Sequence, residues 1–172
     1  RNVMPFFDGR AGLPKVYPIG VFKVLEILPS ARLGRSNAYV VREEGEHPDL
    51  CRLYNDHFRS YQFGPLFAPG SLRETQTWVA RSGEQLHAAI SIVDVGDAKQ
   101  NVLIRLPFPL EILGWLLRIN GRIFPVPRFP EKNQPIRILY IKALACRKGY
   151  EETLDLLIQK ARNISFEQQY HF

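Results

Sequence analysis

Cys146-Arg147-Lys148-Gly149 is a short basic turn with the residue types and the position to hold an anion. It stands between a β-prone apolar run, Ile138-Leu139-Tyr140-Ile141, and a stretch in which Leu154, Leu157, Ile158 and Ala161 recur at i, i+3, i+4 and i+7. The first run reads as part of a strand over 136–145 and the second as one face of a helix over 149–163. A helix N-terminus carries unpaired N–H groups and a partial positive charge, so a basic turn feeding it is a natural phosphate or carboxylate seat. Other side-chain chemistry is sparse. His47, His57, His87 and His171 show neither HxxxH nor HExxH spacing, which gives no case for a metal. Cys51 and Cys146 lack CxxC spacing and suit a reducing compartment, so a cytoplasmic location is expected.

Composition narrows the partners. The 172 residues carry a formal net charge of +6, with 45% hydrophobic and 23% charged residues, the balance of a globular chain of about one domain. A positive surface favours nucleic acid, acidic lipid or a phosphorylated cofactor. The arginines and lysines are scattered rather than gathered in an arm, and no RNP, KH or helix-turn-helix pattern accompanies them, so a nucleic-acid role ranks last. The longest apolar tract, Leu106–Leu117, holds Pro107, Pro109 and Glu111 and is too short to span a bilayer.

The remaining elements must position that turn. Residues 1–36 are Gly/Pro-rich around GRAGLPKVYPIG and read as the tail of a preceding domain plus a linker, with Val21–Leu28 as a strand or short helix. A start at Arg1 suggests a cut or processed fragment. A second unit, 37–172, opens with a strand over Ala38–Arg42. Pro48 and Asp49 fit a first helical turn, after which Leu50, Leu53, Tyr54, His57, Phe58 and Tyr61 keep helical spacing; His57 on that stripe reads as a core histidine. Ser71 with Glu74 matches a capping box and predicts a short helix. Thr77–Arg81 and Leu86–Val95 flank Ser82-Gly83-Glu84-Gln85, a hairpin signature. Asn101–Leu106 predicts a third strand. Leu110–Ile119 is apolar on nearly all sides and is expected to be buried or to meet a partner, with Asn120-Gly121 as its cap. The proline-rich stretch after it reads as an extended loop.

This order of strand, helix, short helix, hairpin, strand and helix resembles the GNAT superfamily of N-acetyltransferases. The opening RNVMPFFDGRAGLPKVYPIG, the arginine closing Tyr39–Arg42, the loop Phe63–Pro69, and Asp94 with Lys99 and Gln100 are similar to bacterial proteins with GNAT-like domains in tandem. The resemblance covers nearly the whole chain. It implies an α/β fold with a mixed, mostly antiparallel twisted sheet flanked by helices. It also implies a transferase that uses acetyl-CoA or another acyl-CoA to acylate an amine on a small molecule or peptide.

Carried onto this chain, the resemblance places the coenzyme against Leu144, Ala145 and Cys146 of the strand and Arg147, Lys148, Gly149, Tyr150 and Thr153 of the loop. Arg147 and Lys148 would meet the phosphates, and Asp94 at the hairpin end is the carboxylate that could act as base. Such loops use glycines because only a bare backbone lets N–H groups approach a pyrophosphate closely. Here the two expected glycine positions hold Tyr150 and Glu152, and Phe172 falls about where the next strand would begin, so the domain reads as incomplete at its C-terminus. The alternative is a degenerate GNAT-like domain without chemistry, kept for contact with a preceding domain or with a second copy.

Overall fold

The structure, a computed structural model, describes residues 25–31, 39–61, 64–120 and 128–172. Its elements run β1 (Val40–Glu43), α1 (Pro48–Phe58), β2 (Gln76–Ser82), β3 (Gln85–Asp94), β4 (Asn101–Val102), α2 (Phe108–Asn120), β5 (Pro135–Ile136), β6 (Leu139–Cys146) and α3 (Glu152–Glu167). β1, β2, β3 and β6 make a four-stranded sheet in that order with every neighbouring pair antiparallel; β4 and β5 pair separately. The fold is therefore α/β, an antiparallel sheet flanked by helices.

Two-residue alternation along the strands sends side chains to both faces of the sheet, and both faces are buried. Val79, Ala89, Ala143 and Ala145 meet Leu50, Leu53 and Tyr54 of α1 together with Phe67 and Leu72 of the following loop. Their neighbours Ala80, Ala88, Ile90 and Ile92 meet Leu157, Ala161 and Ile164 of α3, with Leu144 and Leu154 packed alongside. The alanines on β2, β3 and β6 are what let a helix approach each face closely.

The hairpin forms as its pattern predicts. Gly83, first of the two loop residues, has φ +58°, the left-handed value that glycine adopts at little cost. A register shift between Ala80 and Arg81 re-aims the arginine, which grips Glu44 with Nε at 2.7 Å and Nη2 at 3.0 Å. α1 also starts where predicted, with Pro48 in its first turn and the His47 ring accepting from the Leu50 N–H.

Four expectations need correction. Ser71 caps no helix: residues 69–74 are turns. The Glu46 carboxylate takes the N–H groups of Gly70 and Leu72, and Lys142 Nζ donates to the Ser71 carbonyl, so the backbone groups a helix would use are already engaged. The strand expected over Asn101–Leu106 shrinks to two residues. Its partner β5 begins at Pro135, which has no N–H to donate, and the Leu103 carbonyl is taken by the N–H of Asn133 in a turn. Leu25–Leu28 is neither strand nor helix; its end instead leans on α3, where Arg162 Nε donates to the Leu28 carbonyl and Ser30 N–H to that of Arg162. α3 begins at Glu152 and runs on to Glu167.

After α3, residues 171–172 lie beside the entry to β6. The His171 N–H donates to the Arg137 carbonyl at 2.9 Å and the Leu139 N–H to the Phe172 carbonyl at 3.0 Å. Rising residue numbers meet rising residue numbers there, so the two segments run the same way. Expectations on Val21–Val24, Ala38, Phe63 and the Gly121 cap lie outside the described residues.

Candidate functional site

β6 ends at Cys146 on the rim of the sheet, and the chain turns through Arg147, Lys148 and Gly149 into α3. Gly149 has φ +87°, a backbone conformation that permits this reversal and that side-chain-bearing residues rarely adopt. Across the rim stands the polar flank of α1. Between them lies a cavity of about 640 Å³ lined by Asp49, Arg52, Leu53, Asp56 and His57 of α1, by Cys146, Arg147 and Lys148 of the turn, and by Glu151 and Leu154.

Of the eight predicted coenzyme contacts, three line this cavity: Cys146, Arg147 and Lys148. The other five serve the fold. Ala145 is buried against α1 and Leu144 packs on the α3 side. Tyr150 stacks on the His87 ring at 4.0 Å between centroids, with Tyr39 edge-on to both. Thr153 is fully buried, its hydroxyl donating to the Tyr150 carbonyl at 2.6 Å. Gly149 supplies the turn.

The backbone amides of the turn are largely engaged by the protein itself. Arg147 N–H donates to the His87 carbonyl, Tyr150 N–H to that of Arg147, and Thr153 N–H to that of Tyr150. The Gly149 N–H donates to the Glu151 carboxylate at 3.0 Å. That bond, then the residue's own backbone N–H and last the Lys148 charge, hold the Glu151 carboxyl below the usual carboxylate range. An anion already sits at the amide where a phosphate would be seated, and it belongs to the chain.

Cys146 is no activated nucleophile. Burial, and then the Glu151 charge, push its thiol above the ordinary value, which keeps it protonated near neutral pH. Asp94 lies outside this cavity, at the opposite end of β3, next to the start of β6. Its carboxylate accepts from Tyr170 Oη at 2.6 Å and from the Gly96 N–H at 2.8 Å, with Arg137 Nη2 at 3.9 Å. The Tyr170 hydroxyl first, then the Gly96 amide and Arg137, lower its pKa, so it is a weaker base than a free aspartate. These contacts make it a turn-former and a latch for the C-terminal residues.

The α1 flank is what sequence reading missed. His57 lines the cavity instead of filling the core, with its ring set against Phe58 and Tyr61. The legible signal was Asp49, Arg52 and Asp56 at i, i+3 and i+7, a polar stripe beside the apolar one. Arg52 and Asp49 form an exposed ion pair at 3.6 Å. Among the described residues no group of three or more His, Cys, Asp or Glu is placed to hold a metal ion, and no helix is long and apolar enough to cross a membrane. The chain matches no protein-family model, no curated protein and no solved structure.

Proposed function

We propose that residues 39–172 act as a GNAT-like acyltransferase domain that seats acetyl-CoA or another acyl-CoA in the cavity between α1 and the β6–α3 turn. The observation that carries this reading is the convergence of Arg52, Arg147 and Lys148 on one cavity at the N-terminal end of α3. Its volume is in the range of small-molecule sites, and its cations suit a diphosphate. The antiparallel sheet that leads by β6 into α3 supports the same reading. An acyl-CoA bound there would supply a thioester: the acceptor nitrogen attacks its carbonyl carbon, a C–N bond forms, the C–S bond breaks, and the thiol departs with the proton the nitrogen gives up. Arg147, Lys148 and Arg52 hold the phosphates in this reading, and the Tyr150–His87 stack fixes the turn beside them.

One observation favours a second reading, a GNAT-like domain without chemistry of its own. Glu151 occupies the Gly149 amide, and Asp49 and Asp56 add negative charge to the same cavity. Titration calorimetry of acetyl-CoA into the 172-residue chain separates the two. The acyltransferase reading expects binding that the Arg147→Glu/Lys148→Glu double variant abolishes, together with turnover of an amine. Binding that the double variant leaves unchanged rejects the site. If only Glu151→Gln binds, the second reading stands.

A further inference from the structure

α2 is apolar nearly all round, and its most exposed apolar residues lie on the side away from the protein. Its inner side is marked by Gly114, which is buried under Phe129; a Cβ there would come within 2.7 Å of that ring. At 100° per residue, Phe108, Ile112, Trp115 and Ile119 fall together on the other side. Phe108 is 72% exposed, Trp115 60%, and the two isoleucines 44% and 45%. A helix of a water-soluble domain normally shows the reverse arrangement.

We propose that this face pairs antiparallel with α2 of a second copy of the chain about a twofold axis. The four residues are spaced +4, +3, +4, the d-a-d-a run of a heptad seam, and this spacing reads the same in both directions. Each copy therefore offers what it receives, as an isologous contact requires. Ile112 meets Trp115 of the partner subunit and Phe108 meets Ile119 of the partner subunit, each layer occurring twice. Sequence spacing adds charge complementarity. Glu111 and Arg118, seven residues apart, both take the g position of this frame, and an antiparallel pair sets g against g. Leu116, 44% exposed and at the e position of the same frame, extends the seam into one continuous apolar strip. A lipid surface fits less well, because an interfacial helix needs a cationic polar face and the first turn of α2 carries Glu111.

Sedimentation equilibrium tests this on the 172-residue chain. The expected result is a dimer in which Trp115→Glu raises the dissociation constant about a hundredfold or more, with an unchanged circular dichroism spectrum because the residue is exposed. Glu111→Arg and Arg118→Glu should each weaken the dimer, and the double swap should restore it. A wild-type monomer at about 100 μM overturns the proposal. So does a dimer indifferent to both Trp115→Glu and Ile112→Glu. A monomer that sediments with phosphatidylserine vesicles through Trp115 would assign the face to lipid and overturn it as well.

Discussion

The turn at 69–74 and the turn at 147–151 both hand backbone N–H groups to a glutamate, and they do it over different distances in sequence. Glu46 reaches across to Gly70 and to Leu72, at 2.8 Å in the latter case, and so ties the start of α1 to a loop more than twenty residues on. Asn55 repeats the device on the same loop: Nδ2 donates to the Phe67 carbonyl at 2.9 Å and Oδ1 accepts its N–H at 2.8 Å. Glu151 reaches back two residues to Gly149 and joins nothing that the chain does not already join. The first arrangement stores long-range order and seats Phe67 and Leu72 in the core. The second stores almost none; it neutralises an amide at the mouth of a cavity. One carboxylate belongs to the architecture. The other marks a place from which an outside anion could displace it.

Breaking the first loop should therefore have the largest effect. Phe67 is 5% exposed and lies against both Tyr54 and Phe58, with centroids at 4.8 and 5.9 Å. Phe67→Ala should cost about 3–5 kcal/mol in urea unfolding, the transfer and cavity terms of a buried aromatic together. Asn55→Ala leaves the buried N–H and C=O of Phe67 without side-chain partners and should cost about 2–3 kcal/mol. If either change left the unfolding midpoint unmoved, the loop would not be the clamp its bonds describe.

The same contrast explains what was legible in the sequence. The hairpin, α1 and the β6–α3 junction are each specified by local pattern, through alternation at Thr77–Val95, a proline-started stripe from Pro48, and a change of period after Cys146. The loop at 67–74 is set by Glu46, Asn55 and Lys142, which lie far off in sequence and leave no local mark. Ser71 and Glu74 carry a helix-capping signal that tertiary bonds override. Half of the candidate cavity was likewise invisible. The basic turn announces itself, whereas the α1 flank becomes part of a site only when β6 brings Cys146 beside it. Apolarity in α2 was plain, yet periodicity cannot tell a helix buried in its own domain from one turned outward.

A second clamp gives a pH test. Glu44 takes Nε and Nη2 of Arg81, then Arg42 Nε at 2.6 Å and the His47 ring at 2.9 Å. Led by Arg81, these lower its pKa from 4.5 to about 2. A carboxyl depressed in the folded state adds stability above its unfolded pKa and loses it as pH falls through the folded one. Stability should thus decline between pH 4.5 and about 2, and Glu44→Gln should flatten that decline while lowering stability at pH 7. An acid limb of identical slope in the variant would exclude Glu44 as its source.

The smallest effect on the fold, and the sharpest on the comparison, is expected of Glu151→Gln. Its bond to Gly149 is local and exposed, and Tyr150 and Thr153 hold the turn independently through the His87 stack and a buried hydroxyl. The unfolding midpoint should stay where it is. What changes is the charge beside Arg147 and Lys148: a neutral amide oxygen competes less strongly for the Gly149 N–H, and an approaching phosphate meets three cations with one fewer anion among them. Affinity for inorganic pyrophosphate should rise about tenfold over the wild type. Lowering the pH should raise wild-type affinity as Glu151 protonates, in a window displaced below the ordinary carboxylate range because its folded pKa is depressed. The variant should show none of that rise. Were Glu151→Gln to unfold the turn, or to bind pyrophosphate no better than the wild type, Glu151 would join Glu46 as architecture and the cavity would lose its claim to an anion.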